Sequence, residues 1–158
     1  MWIDSHAHLD FDRFDADRDA VIERARDRGV TQIISIGTRV ASSLSALELA
    51  RAYPGVIYST AGFHPLYLED DHEEGWRQLE ELAQLPEVVG VGETGLDYYY
   101  DTSDPQRQRD SFRRHLQMSA AVQKPIIIHI RDAFDDAFAI IEEEGLGGGE
   151  KETRTGSL

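Results

Sequence analysis

The sequence predicts an α/β fold made of five βα units, and three observations predict it. Short runs rich in β-branched residues alternate along the chain with longer stretches of helical periodicity. The predicted strands are continuous apolar runs, which is typical of parallel strands covered by helices. The chain has 158 residues, 41% of them hydrophobic, which is enough for one domain with its own core.

The first two units have clear signals. MWIDSH (1–6) and VTQIISIG (30–37) are predicted strands, and the helix between them (15–29) ends at Gly29. The second helix (40–55) has Leu44 and Leu47 on one face and ends at Pro54.

The remaining units repeat the pattern. The predicted strands are VIYSTAG (56–62), VVGVGE (88–93) and PIIIHI (125–130), and the predicted helices are 73–86, 105–123 and 132–145. Such an order is compatible with a doubly wound sheet or with a (β/α) barrel. The glycines in GVGETG do not open a helix, which disfavours a dinucleotide-binding loop. A barrel needs eight strands and roughly 250 residues, so the sheet would be incomplete.

Composition limits the function. The net charge of -14 argues against a basic surface that binds polyanions, although a bound divalent cation could supply local positive charge for a nucleic-acid substrate. With no cysteine, any metal must be held by His, Asp or Glu. We expect a cytoplasmic protein without a membrane partner, because no apolar run approaches the ~18 residues that a span needs.

Titratable residues close four of the predicted strands. His6 ends the first strand and is followed by His8, His64 ends the third, Glu93 the fourth and His129 the fifth. In (β/α) barrels the carboxyl ends of the strands line the active site. His6 and His8 can project together and offer two nitrogens to one cation, while Glu93 has two oxygens and can bridge two cations. A two-metal hydrolytic site is therefore predicted.

Other polar and aromatic residues have simpler explanations. We expect His72 and His115, which lie in charged helical segments, to face solvent. Asp132 could serve as the N-cap of the fifth helix or contact the substrate. The aromatic run DYYY (97–100) could pack on a neighbouring helix or stack on nucleobases.

Four segments carry a resemblance to a known family. DSHAHLD (4–10), AGFHP (61–65), VGVGETGLDYY (89–99) and KPIIIHIRDA (124–133), in this order, resemble the TatD family of metal-dependent hydrolases, in the amidohydrolase-like barrel superfamily. The resemblance implies a TIM-type (β/α) barrel, of which residues 1–146 would form about the first five βα units, followed by a flexible glycine-rich tail (147–158). It also implies two divalent metal ions (Mg²⁺, Mn²⁺ or Zn²⁺) and 3′-5′ hydrolysis of phosphodiester bonds in DNA by a metal-activated water.

The resemblance also implies roles for single residues. His6 and His8 would bind one metal ion, His129 the other, and Glu93 would bridge them. His64 would bind the substrate phosphate or transfer a proton, and Arg131 would contact the phosphate through its forked donors. Many amidohydrolases bridge their ions with a lysine at the position of Glu93, so the sequence favours the nuclease-like branch.

Two alternatives stay open. The family's later motifs, a His after a sixth strand and an Asp after an eighth, do not occur in the 158 residues, so the chain could be catalytically incomplete. Its open sheet edge could then lead to self-association. Alternatively, the same metal site could hydrolyse another ester or an amide.

Overall fold

The computed structural model describes residues 1–100 and 103–145 of the chain. The five strands are β1 (Trp2–Ala7), β2 (Val30–Ser35), β3 (Ile57–Ala61), β4 (Val88–Asp97) and β5 (Ile126–Arg131). The five α-helices are α1 (Arg18–Asp27), α2 (Val40–Ala52), α3 (Glu73–Ala83), α4 (Pro105–Val122) and α5 (Phe134–Glu143), and a 3₁₀ turn (Asp12–Phe14) precedes α1.

The strand order decides between the two predicted architectures. The sheet runs β1-β2-β3-β4-β5, and each strand pairs in parallel with the next one along the chain. A doubly wound sheet reverses its order at a switch point, whereas a barrel winds in one direction. The chain therefore forms a curled half-barrel with helices outside, an incomplete barrel that confirms the predicted fold class.

Strand β4 is longer than the sequence indicated. The sequence predicts an end at Glu93, but the strand continues to Asp97, because Gly95 and Asp97 pair with His129 and Arg131 of β5. The approach of the two strands depends on Gly95, which has a φ of +134°. A Cβ atom there would lie 2.1 Å from the carbonyl oxygen of His129, so a larger residue does not fit.

The core lies between the sheet and its helices in three clusters. Its largest members are Phe63, Trp76 and Leu79 in the first cluster, Phe112, Leu116 and Ile140 in the second, and Ile22, Ile33 and Ile57 in the third. The central strands are buried, while β1 is exposed along most of its length. This difference follows from position, since β1 has one neighbouring strand in the described sheet.

The expectation that His115 faces solvent is wrong. The side chain is completely buried beneath Trp76 and Phe63. Its Nε2 accepts a hydrogen bond from the backbone amide of Phe63 (3.0 Å), and its Nδ1 lies 2.8 Å from the carbonyl oxygen of Ser111. The charged composition of α4 hides this inward face, because the helix carries polar residues on its other sides.

The predicted glycine-rich tail, 147–158, lies outside the described residues. Within the described part of the chain, none of the helices has both the length and the apolar character needed to cross a membrane.

Candidate metal centre

The structure brings the predicted strand-end residues together at the carboxyl end of the sheet. Two groups of possible metal-binding side chains lie there, and each group has its ligand atoms within 4.8 Å of one another. The groups are His6, His8 and Glu93, and His64, Glu93 and His129. Glu93 is common to both, and parallel strands place all five residues at one rim.

In the first group, two histidines from β1 and the residues after it face one carboxylate oxygen. Nε2 of His6 lies 3.4 Å and Nε2 of His8 lies 3.9 Å from Oε2 of Glu93. Nδ1 of His8 is 3.3 Å from the carbonyl oxygen of Ile36, which can only accept a hydrogen bond. The ring therefore carries its hydrogen on Nδ1 and keeps the lone pair of Nε2 for a cation.

In the second group, His129 is held between two carboxylates. Its Nε2 donates to Oδ2 of Asp97 (2.8 Å), and its Nδ1 lies 3.6 Å from Oε1 of Glu93. The neutral ring thus keeps the Nδ1 lone pair on the side of Glu93. Hydrogen bonding to Glu93 outweighs burial and raises the pKa of His129.

Glu93 is a buried carboxylate with one oxygen in each group. Its side chain is 10% exposed, and its backbone amide donates to the carbonyl oxygen of Gly37 (2.8 Å), which fixes the strand end. Burial acts to raise its pKa, but the hydrogen bond from His129 and the charges of His64 and His6 prevail, and the pKa is lowered. An ionised carboxylate shared in this way has the geometry of a bridging ligand.

Asp97 is a site residue that we did not predict. It is 1% exposed, and besides His129 it accepts the backbone amides of Tyr99 and Tyr100 on Oδ1, both at 3.1 Å. Its pKa is lowered because these hydrogen bonds, with that of His129, outweigh burial. The two-residue period of a strand identifies Asp97 only once β4 is known to continue past Glu93, because Asp97 lies four residues after Glu93 on the same face.

His64 differs from His8 and His129 in the ring nitrogen that is left after its backbone hydrogen bond, because this nitrogen carries a hydrogen and not a lone pair. Its Nδ1 accepts the backbone amide of Leu66 (3.1 Å), so the neutral ring carries its hydrogen on Nε2. Burial, together with the nearby charge of His129, lowers the pKa of His64 to about 4. At neutral pH His64 is therefore an uncharged N–H donor at the edge of the centre.

Arg131 lies beside the centre with two tyrosines. It is two residues after His129, so both side chains leave β5 on the same face. The guanidinium carbon is 3.8 Å from the ring centroid of Tyr99 and 4.8 Å from that of Tyr100, and both rings are about half exposed. Tyr98 instead packs on α5, where its hydroxyl donates to Asp136 (2.6 Å).

Neither His72 nor Asp132 belongs to the two groups of possible metal-binding side chains. His72 is exposed, as predicted, and its Nδ1 accepts the amide of Gly75 at the start of α3. The expected N-cap role of Asp132 is wrong: α5 begins after Ala133, and Asp132 has a φ of +54° in the connecting turn.

The residues present fit divalent cations at two neighbouring groups of ligands. Imidazole nitrogens suit Zn²⁺, and carboxylate oxygens suit Mg²⁺ or Mn²⁺. Two of the histidines donate their other ring nitrogen to a carbonyl or a carboxylate, the arrangement that orients metal-binding histidines in general.

Comparison with known proteins agrees with this chemistry. The chain is 39% identical over 145 residues to an uncharacterized metal-dependent hydrolase, YabD, of Bacillus subtilis, covering 92% of this chain and 56% of that protein. It is 38% identical over 138 residues to a 3′-5′ ssDNA/RNA exonuclease, TatD, of Erwinia billingiae, covering 87% of this chain and 53% of that protein.

A solved structure and a family match complete the comparison. The TatD homologue YJJV of Escherichia coli superposes with a TM-score of 0.85 at 31% identity, covering 92% of this chain and 56% of that one. The chain thus spans little more than half the length of these relatives. The family described as TatD related DNase matches residues 3–151. With its half-barrel and its histidine- and glutamate-lined rim, the chain belongs to the TatD family of metal-dependent hydrolases.

Proposed function

We propose that this chain carries the phosphodiester-hydrolysing site of a nuclease that acts on DNA, on single strands or at 3′ ends. The observation that carries the proposal is the shared carboxylate of Glu93, with one oxygen toward His6 and His8 and the other toward His129. In this proposal His6, His8 and Glu93 hold one divalent ion, and Glu93 and His129 hold the second. When bound, the ions polarise the phosphodiester and lower the pKa of the attacking water.

The protein's own groups orient the substrate. His64 is neutral at pH 7 and presents Nε2–H, so it donates a hydrogen bond to a phosphate oxygen. This hydrogen position makes it a donor to the substrate rather than a third ligand of the second ion. Proton transfer to the leaving group would require the imidazolium form, which a pKa of about 4 disfavours. Arg131 supplies a permanent positive charge with paired donors, which suits a phosphate.

A nucleic-acid substrate is consistent with the relatives and with the rim of the site. The Erwinia relative is named a ssDNA/RNA exonuclease. In the present chain the half-exposed rings of Tyr99 and Tyr100, with Arg131 against them, offer flat surfaces for unpaired bases. We further propose a cytoplasmic location and self-association through the open sheet edges.

Release of label from 3′-labelled single-stranded DNA by the full chain tests the proposal. We expect release with Mg²⁺ or Mn²⁺ that is abolished by a chelator and by Glu93→Ala. An aryl ester and an amide, assayed in parallel, should not be hydrolysed. Hydrolysis of these and not of DNA would favour another ester or amide substrate, and metal binding without any turnover would favour a catalytically incomplete chain.

A further inference from the structure

The loops that follow β1, β2 and β3, together with the start of α2, border an open groove beside the metal centre. Its cavity volume is about 580 Å³, and its lining includes Phe11, Arg13, Thr38, Arg39, Ser42 and Tyr67. We propose that this groove, called the Arg39–Tyr67 groove below, binds one nucleotide of a single strand, the unit that flanks the phosphate in the metal centre. The inference rests on the proposed nuclease function and identifies where its substrate continues.

The groove is continuous with the metal centre through ring contacts. The ring of Phe11 stacks on His8, with centroids 4.9 Å apart and planes at 14°. The ring of Tyr67 lies 5.6 Å from that of His64. A single strand of nucleic acid with its phosphate near His8 and His64 therefore passes directly over the rings of Phe11 and Tyr67.

The lining combines flat rings with guanidinium groups. The guanidinium carbon of Arg39 is 4.3 Å from the ring centroid of Tyr67, and that of Arg13 is 5.3 Å from the ring centroid of Phe11. Tyr67 is 37% and Phe11 39% exposed. Nucleobases stack on aromatic rings and on the planes of arginine side chains, and the edges of the guanidinium remain available to phosphate oxygens.

Arg39 is able to exchange its present partner for a phosphate. Its Nη1 donates to Oε1 of Glu69 at 2.9 Å, and both side chains are more than one-third exposed. An exposed ion pair of this kind contributes little to stability. The phosphate can therefore compete for the guanidinium without disturbing the fold, and Arg39 provides local positive charge on a chain whose net charge is -14.

Acidic residues limit how much of the strand the groove can hold. Asp10 and Asp12 line the groove and also an adjoining pocket that contains Asp15 and Glu48, where Arg18, paired with Asp15, offsets only part of the negative charge. Phosphates are repelled by this acidic side, so the favourable region is the part near Arg39 and Tyr67. We therefore assign one nucleotide to the Arg39–Tyr67 groove and not a longer tract.

The test measures binding without turnover. A fluorescein-labelled thymidine hexanucleotide is titrated with the full chain in a chelator at low ionic strength, and fluorescence anisotropy is recorded. Tyr67→Ala should weaken binding about tenfold, the loss of one base stack, while Tyr67→Phe should retain affinity. Arg39→Gln should also weaken binding and should reduce the slope of log affinity against log salt by about 0.7.

Arg51→Gln is the matched control. Arg51 lies at the other end of the same helix, α2, and pairs with Glu87 (3.2 Å), so its loss should leave binding unchanged. Thermal melting shows that each variant is folded, and Arg39→Gln tests the groove even if Tyr67→Ala does not fold.

The two proposals can fail separately. Binding that depends on Tyr67 and Arg39, without DNA hydrolysis when metal is added, would retain the groove and reject the nuclease. Metal-dependent hydrolysis with equal hexanucleotide affinity in the wild type, Tyr67→Ala and Arg39→Gln would reject the groove and retain the nuclease. A wild-type chain that does not bind the hexanucleotide at all would also reject the groove.

Discussion

Asp97 shows how one buried carboxylate organises two parts of the site. One oxygen receives Nε2–H of His129, and the other receives the backbone amides of Tyr99 and Tyr100. The residue therefore sets the hydrogen position of a proposed metal ligand and also the turn that brings two tyrosines to Arg131. Carboxylates that hold metal-binding histidines commonly affect metal affinity strongly.

Replacing Asp97 should weaken one metal site selectively. In Asp97→Asn the amide can present its oxygen to His129 or to the two backbone amides, but its NH₂ group then faces a donor on the other side. We expect a 10- to 100-fold loss of affinity, about 1.4 to 2.7 kcal/mol, for the ion at His129. Isothermal titration with Mn²⁺ or Zn²⁺ measures this.

A second carboxylate provides the control for Asp97. Asp136→Asn removes a carboxylate that is hydrogen-bonded to Tyr98 and Arg109 outside the centre, and it should leave both affinities unchanged. Equal affinities in the wild type and Asp97→Asn would show that Asp97 does not position His129.

At the scale of elements, the sequence predicts the order of strands and helices and the four strand-end positions that carry His or Glu. Continuous apolar runs locate the strands. Active-site residues of parallel (β/α) folds lie at the carboxyl ends of the strands, and this rule identifies the four positions. The end of β4 could not be located, because the glycines at 92 and 95 resemble a turn until their pairing with β5 is known. Asp97 was missed for the same reason.

His115, buried on the inward face of α4, should make the free energy of unfolding depend on pH. Burial lowers the pKa of His115 to about 4 from an ordinary value of 6.5, so between these values the unfolded chain binds a proton that the folded chain does not. Stability should therefore fall as the pH is lowered from 6.5 to 4. In this window His115 contributes about 1.4 kcal/mol per pH unit to the free energy of unfolding.

Variants of two histidines isolate this effect. Glutamine in His115→Gln does not titrate. The free energy of unfolding, measured with urea across this pH range, should therefore change less steeply with pH, by the equivalent of about one proton. His72→Gln, at an exposed position, should keep the slope of the wild type. Identical slopes in the wild type and His115→Gln would contradict the assignment.

At the scale of the whole molecule, the described sheet has two edge strands, β1 and β5. Large apolar side chains are exposed near both: Trp2 and Ile3 on β1, and Phe134 and Phe138 on α5 after β5. Unpaired backbone groups and apolar side chains on an edge favour pairing with another chain. We therefore expect the chain to self-associate.

Sedimentation equilibrium over a range of concentrations tests self-association. The wild-type mass should rise with concentration, and Ile3→Lys should shift the chain toward the monomer, since a charge on an edge strand opposes pairing. Leu44→Lys, an exposed position on α2, should behave as the wild type. A wild type that is monomeric throughout would rule out association through these edges.

Electron paramagnetic resonance of the Mn²⁺-loaded chain tests whether Glu93 joins two divalent ions. Ions bridged by one carboxylate lie about 3.5 to 4 Å apart, close enough for their spins to couple. We predict an exchange-coupled spectrum in the wild type that is lost in Glu93→Ala. Isolated Mn²⁺ signals in the wild type, or a coupled spectrum that persists in Glu93→Ala, would show that Glu93 does not bridge two ions.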